Sequence, residues 1–334
     1  MERVGLAITG CGAASPTQSV SNDELSGFIE TSDEWIASRT GIRSRRLAMP
    51  GDSLASLGAA AALQALEMAG LAADEVDLIL LATSTPDDLF GTAGVIQASI
   101  GAKQAIAFDL TAACSGFVFG LVTAAQYIRT GTFKNIVLIG GDILSRWVNW
   151  DDRRTCVLFG DGAGAVVIQA HTVDGLLGFQ LRTDGSQNAC LNLKIVEDSQ
   201  ELSEDVVVIK GGFSPITMNG QEVYKFAVRK VPEIIEKSLF EAGLTQSDVD
   251  WFVLHQANQR ILDAVATRLK IAPEKVISNL ATYGNTSAGS IPIALNEAVR
   301  DGRIQPGHTL ALAGFGAGLT WGSAIVTWGK QDYK

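Results

Sequence analysis

The stretch Ala105–Tyr127, AIAFDLTAACSGFVFGLVTAAQY, decides the fold. Ile106–Leu110 is an apolar run of strand length, Thr111–Ala113 is a turn of small residues, and Gly116–Tyr127 carries aromatic and branched residues at helical spacing. Strand, turn and helix are therefore expected in succession, with Cys114 at the joint. A thiol there meets the positive end of the helix dipole, which favours thiolate over thiol. The small neighbours Ala112, Ala113, Ser115 and Gly116 let a carbonyl group and backbone N–H donors come close. This stretch alone fits both a nucleophile and a buried core thiol, so residues elsewhere must decide.

Strand and helix signals alternate on both sides of this stretch. Upstream, Arg3–Gly10 reads as a first strand, Ser53–Ala69 as a helix, Val76–Thr83 as a strand and Thr92–Ile100 as a helix. Downstream, Asn135–Gly141 is a buried strand, and Arg154–Ala170 reads as two strands around the turn FGDGAGA at Phe159–Ala165. The later signals are a long helix over Met218–Ala242, a strand at Trp251–Leu254, helices at Asn258–Leu269 and Ser287–Arg300, and strands at Thr309–Ala313 and Ala324–Trp328.

Ala65–Ser84 lies over Ser238–Ala257 without a gap: Leu66, Ala69, Gly70, Leu71, Val76, Asp77 and Leu81 match Leu239, Ala242, Gly243, Leu244, Val249, Asp250 and Leu254. FGDG at Phe159–Gly162 is echoed by FGAG at Phe315–Gly318. The expectation is an α/β protein of two related halves, residues 1–170 and 171–334, joined by a region whose elements the sequence does not place.

The chain has 334 residues, 47% hydrophobic, with 35 glycines and a formal charge of −10. That charge argues against a nucleic acid partner. Cys11, Cys114, Cys156 and Cys190 have neither zinc-ligand nor disulfide-framework spacing, so no metal is expected and a reducing, cytoplasmic setting fits. No apolar run approaches a membrane span. Thr31 and Glu34 form a capping-box pattern for a helix that places Trp35, Arg39 and Arg43 near one face. Arg39–Arg46 is the densest basic run, a solvated surface or else a site for phosphate or an acidic protein.

His255, one of three histidines, ends its strand where the sister copy has Ala82. Asn285 lies in the Gly-flanked loop TYGNTSAGS, as a plain turn residue or as an amide donor aimed into a cleft. Gly314–Gly322 is a glycine-rich hairpin able to present backbone N–H groups to a reacting oxygen. Neither Gly10–Gly12 nor Gly160–Ala165 completes a dinucleotide-binding pattern, the second because a strand follows it.

With Cys, His and Asn in hand, the chain closely resembles the β-ketoacyl-acyl carrier protein synthase III family. The resemblance runs nearly full length and rests on TSDEWIASRTGI (Thr31–Ile42), AACSGF (Ala112–Phe117), FGDGAGA, HQANQR (His255–Arg260), GNTSAGS (Gly284–Ser290) and FGAGLTWG (Phe315–Gly322). It implies a thiolase-like fold, layered α-β-α-β-α, and a homodimer. It implies Cys114 as acyl-accepting nucleophile, His255 and Asn285 as the pair that handles malonyl decarboxylation, and the backbone N–H groups of Cys114 and Ala317 as an oxyanion hole. Acyl-CoA, acetyl-CoA foremost, and malonyl-acyl carrier protein are the implied substrates, with no bound cofactor.

The same resemblance implies that Thr31, Trp35, Arg39 and Arg153 hold the CoA nucleotide and that Leu158, Gly220, Tyr224 and Asn258 line the pantetheine channel. It implies Phe90 and Phe315 at the acyl pocket, Phe90 reaching across the dimer. Carrier-protein docking falls on Gln256, Ala257, Asn258, Gln259 and Arg260, extended by Lys225 and Arg268. Two other activities remain open at this stage: an acyltransferase of the same fold that uses a hydroxyl or amine acceptor, and a scaffold without catalysis.

Overall fold

Strand, turn and helix do follow one another around Cys114, and the same alternation builds the rest of the molecule. The computed structural model describes residues 4–331. Its first half runs β1 (Gly5–Ala14), α1 (Asp33–Thr40), α2 (Leu54–Ala69), β2 (Leu78–Ala82), α3 (Ala93–Ser99), β3 (Ile106–Leu110), α4 (Gly116–Arg129), β4 (Asn135–Asp142) and β5 (Gly162–His171). The second runs β6 (Leu176–Thr183), α5 (Gly220–Ala242), β7 (Trp251–Leu254), α6 (Gln259–Leu269), β8 (Val276–Ile277), α7 (Ser290–Arg300), β9 (Thr309–Gly316) and β10 (Thr320–Thr327).

Apart from α1, the two halves share one order of elements and one sheet. The first sheet is ordered β1-β5-β4-β2-β3 and the second β6-β10-β9-β7-β8. In each, the first three strands are antiparallel neighbours and the last three parallel ones. Alternate residues of the buried strands face opposite layers, as a period of two requires. Leu78 and Leu80 of β2 face a central core shared with α4, α7 and the second sheet, while Ile79 and Leu81 face α2 and α3. Helices α5 and α6 cover the outer face of the second sheet. The result is the five-layered α-β-α-β-α arrangement of a thiolase-like fold.

The duplication extends to individual packing contacts. A Cβ built on Gly10 of β1 would lie 2.2 Å from Ala65 O and 2.9 Å from Ala69 N of α2. One built on Gly178 of β6 would lie 2.5 Å from Ser238 O and 2.8 Å from Ala242 N of α5. The sequence repeat pairs Ala65 with Ser238 and Ala69 with Ala242, so both halves press a helix backbone onto a strand glycine at the same place.

Three local expectations need correction. The cap of α1 is Ser32, whose side chain accepts from Trp35 N, and not Thr31. Gly41 then ends that helix in the left-handed region, so Arg43 lies beyond it and pairs with Asp33. Arg154–Leu158 forms turns and no strand, and FGDGAGA is not a turn, because its Gly162–Ala165 portion already belongs to β5. Its glycines serve close approach: a Cβ on Gly160 would lie 2.0 Å from Tyr283 O of the second half. Lastly, the basic run is not simply a solvated surface. Arg45 is fully buried and donates to Val20 O, Asn22 Oδ1 and Val157 O.

Gly10→Ala and Gly178→Ala should each lower unfolding free energy by about 1–3 kcal/mol, the cost of forcing a methyl group into a packed contact. Urea unfolding of the two variants measures it, and a Gly178→Ala protein as stable as the parent would refute the close-contact reading.

Candidate active site

Three segments from the two halves converge on Cys114. The thiol sits in a one-turn 3₁₀ helix, Ala113–Ser115, between β3 and α4, entered through Ala113 at φ 47°. His255 directly follows β7 and is tied to β9 by its N–H, which donates to Ala313 O at 2.8 Å. Asn285 lies before α7 and is held by the first half: its N–H donates to Leu158 O (2.8 Å) and its carbonyl accepts from Gly160 N (3.0 Å). All three residues line one largely apolar pocket of about 880 Å³, together with Leu144, Phe159, Val223, Phe226, Ile261 and Phe315.

Hydrogen bonds fix the orientation of both polar partners. Asn285 Oδ1 accepts from Ser287 N at 2.9 Å, which leaves its NH₂ group as the donor offered to the pocket. His255 Nδ1 lies 2.7 Å from Ser290 Oγ, and that oxygen also accepts from Gln256 N at 3.4 Å. Gln256 N–H can only donate, so of the two groups that meet Ser290 Oγ only Nδ1 can accept the hydroxyl's proton. This pattern assigns the ring proton of His255 to Nε2. The ring also meets Phe315 edge to face, centroids 5.2 Å apart.

Burial controls the electrostatics. It pushes the His255 imidazolium down to about 3, so the ring is neutral throughout the physiological range. It pushes the Cys114 thiol up to about 12, against a hydrogen bond from Ser287 that pulls it down. The thiolate expected from the helix dipole is therefore opposed by desolvation. Nearby Asp142, at the end of β4, is wholly buried, and burial raises its carboxyl. It accepts from Thr83 Oγ1, Ser84 N, Thr85 Oγ1 and Ala288 N.

The backbone of Gly316 lies against the nucleophile, since a Cβ there would be 2.6 Å from Cys114 N. This brings Ala317 to the pocket wall beside Cys114. Leu158, Gly220, Tyr224, Ala257 and Asn258 line the pocket as well. Trp35 lies outside it, with Arg39 Cζ 4.6 Å and Arg153 Cζ 5.0 Å from its ring centroid. Thr31 also lies outside, its hydroxyl buried without a partner.

Several expected residues stand elsewhere. Gln256 is buried and cannot dock a partner: its amide donates to Leu254 O and Ile277 O and accepts from Asn279 N. Asn258 caps α6 and donates to Arg39 O, while Gln259 bonds to Asp263 and Ser278. Arg260 is exposed and bonds to Ser38 O. Lys225 and Arg268 are engaged with Glu222 and Glu233. Phe90 does not line its own chain's pocket; it is 98% exposed, and its neighbour Leu89 lines the pocket instead.

Sequence reasoning missed Ser287, Ser290 and Asp142 as contacts of the site. The first two stood inside a motif quoted for Asn285 alone. The third carried a usable signal, a carboxylate ending a buried apolar strand. Within residues 188–212 an exposed hairpin (Asp198–Ser203 with Val206–Lys210) is flanked by Ile195, Gly211 and Gly212, which reach the pocket.

A buried thiol, a neutral imidazole and an oriented amide at the meeting point of two thiolase-like halves define an acyl-transferring condensing enzyme. Two family models match: 3-oxoacyl-[acyl-carrier-protein] synthase III over residues 108–185, and the C-terminal part of the same synthase over residues 239–328. A beta-ketoacyl-[acyl-carrier-protein] synthase III of Nostoc sp. is 65% identical over 330 residues, covering 99% of this chain and 100% of the relative. The crystal structure of a 3-oxoacyl-[acyl-carrier-protein] synthase III from Aquifex aeolicus is 40% identical, with a TM-score of 0.89, covering 97% of this chain and 100% of that one. The priming β-ketosynthase of the R1128 polyketide pathway is 33% identical, with a TM-score of 0.90, covering 99% and 98%. The chain belongs to the β-ketoacyl-[acyl-carrier-protein] synthase III family.

The tautomer assignment is testable because the chain has only three histidines. In ¹⁵N-histidine spectra, His255 should remain neutral with its proton on Nε2 as pH falls through 6.5, the ordinary value for a histidine, towards about 3. Ser290→Ala should mix the tautomers; a His255 signal unchanged in that variant would refute the role of Ser290.

Proposed function

We propose that the chain catalyses the decarboxylating condensation of a short acyl-CoA, acetyl-CoA foremost, with malonyl-acyl carrier protein. The product is a 3-oxoacyl-carrier protein, the first condensation of fatty acid synthesis. The observation that carries this reading is a pair of neutral donors, His255 Nε2–H and the Asn285 NH₂, in one pocket with the Cys114 thiol. Neutral donors suit an enolate, because they stabilise its charge without giving up a proton.

The reaction proceeds in two halves. Cys114 Sγ attacks the thioester carbonyl, the bond to the CoA sulfur breaks, and CoA leaves with the proton. Malonyl-carrier protein then enters. Its bond to the carboxylate breaks, CO₂ departs, and the enolate oxygen is held by His255 and Asn285. The enolate carbon attacks the acyl group on Cys114, and the Cys114 sulfur leaves as thiolate and takes up a proton from solvent, which restores the thiol. Backbone N–H groups of Cys114 and Ala317 support the oxyanion of each step, a donor of this kind contributing about 2.7–4 kcal/mol.

The family resemblance and the shape of the surface support the remaining assignments. The CoA base stacks on Trp35, displacing one of the two guanidinium groups that flank it. Pantetheine passes Tyr224, Gly220, Asn258 and Leu158. Arg260 with Lys225 and Arg268 forms the carrier-protein surface, the latter two exchanging their glutamate partners for acidic groups of the carrier. Among the described residues no helix is long and apolar enough to cross a membrane, and all four cysteines are free, which suits a cytoplasmic enzyme.

A homodimer would cover β3. This strand is the edge of the first sheet, and its Ile106 and Phe108 are 54% and 38% exposed. An apolar strand edge is a template for pairing. The family resemblance implies that Phe90, exposed in the single chain, then reaches the partner's pocket.

Incubation with acetyl-CoA should add one acetyl group at Cys114, seen by intact-protein mass spectrometry. Malonyl-carrier protein should then remove it as 3-oxobutyryl-carrier protein appears. Cys114→Ala should show neither step, and full condensation by that variant would sink the assignment. A label cleared by an alcohol or amine, and not by malonyl-carrier protein, would establish the acyltransferase instead. Phe108→Asp should convert a dimer to monomers in sedimentation; unchanged sedimentation would place the interface elsewhere.

A further inference from the structure

The Ser287 hydroxyl touches the nucleophile, donating to Cys114 Sγ at 3.3 Å, and no step above uses it. Ser287 is buried, and its backbone is in the left-handed region at φ 51°. Such a conformation suits glycine, and a serine persists there only when its surroundings hold it. They do: Ser287 N donates to Asn285 Oδ1, and Ala288 N donates to the buried Asp142 Oδ2 at 3.2 Å. A glycine would satisfy this backbone better. What serine adds is a hydroxyl against the sulfur.

We propose that Ser287 is a further catalytic residue, whose hydroxyl donates to the Cys114 sulfur and stabilises the thiolate as it forms for attack on the acyl-CoA. The proposal rests on the two-step reading above and deepens its first half. In that half the Sγ–carbon bond forms and the carbon–sulfur bond to CoA breaks. The proton lost by Cys114 ends on the departing CoA sulfur, and Ser287 keeps its own. A hydrogen bond to a charged acceptor is stronger than one to a neutral one, so the contact favours thiolate over thiol. It works against the two influences that disfavour ionisation here, burial of the thiol and the nearby carboxylate of Asp142.

Ser287→Gly is the informative variant, because it removes the hydroxyl, keeps the backbone N–H that orients Asn285, and suits the left-handed backbone. Alkylation of Cys114 by iodoacetamide, followed by peptide mass spectrometry at about pH 6–9, reports thiolate availability without acyl-CoA or carrier protein. Failure of the substrate assignment would thus leave this readout intact. Losing the bond should push the thiol further up and make the thiolate roughly ten- to a hundredfold rarer at a given pH. The rarer thiolate is also more nucleophilic, so alkylation and acetyl transfer should slow roughly three- to tenfold. Decarboxylation of malonyl-carrier protein should stay within about twofold, because His255 and Asn285 are untouched. Thermal denaturation confirms that the variant is folded. Alkylation as fast as in the parent, or an equal loss in both half-reactions, would overturn the proposal.

Discussion

Two backbone hydrogen bonds, Asn285 N–H to Leu158 O and Gly160 N–H to Asn285 O, join the halves where the chemistry occurs. Neither half holds a complete site. The thiol arrives from the turn before α4, the imidazole from the end of β7 and the amide from the loop before α7. Their mutual positions depend on how closely the loop after Tyr283 approaches the strand entry at Phe159. Glycine at 160 sets that approach, since a side chain there would strike Tyr283 O. The buried carboxylate of Asp142 reinforces the same seam from the first sheet, by accepting the N–H of Ala288.

The surroundings of the site turn two titratable groups away from their usual behaviour. A histidine neutral down to about 3 is a poor acid or base near neutrality but a steady hydrogen-bond donor. A thiol pushed towards 12 is protected from adventitious chemistry and requires local help to ionise. Both follow from one cause, removal of water from an apolar pocket between two sheets. Each is met by a hydroxyl from the same short segment, Ser290 orienting the neutral histidine and Ser287 opposing the effect of burial on the cysteine.

Much of this was legible in the sequence, because periodicity and repetition report packing directly. The strand, turn and helix around Cys114 and the gapless match of Ala65–Ser84 to Ser238–Ala257 were enough to anticipate two alike sheets. The match also isolated His255 as an addition to one copy. Features that depend on burial in three dimensions were not legible. Gln256 sits in a polar run yet turns inward to satisfy the backbones of Leu254 and Ile277. Arg45 belongs to a basic run yet is enclosed by three acceptors. Glycines in FGDGAGA read as a turn by composition, whereas their reason is close approach to the second half, at Gly160 to Tyr283 and at Gly164 to Pro292. Thr31 and Ser32 are both good caps, and only the helix start distinguishes them.

The two sheets share an order of strands but not the length of their outermost parallel strand. In the first half that strand is β3, five residues with apolar side chains turned outward; in the second it is β8, only Val276 and Ile277. A duplicated protein that kept both borders long would carry two adhesive ends and would add copies head to tail without limit. Shortening one border leaves one long apolar parallel border per molecule. The copies thus diverged in the reach of their borders independently of the divergence that placed a histidine in one copy and an alanine in the other.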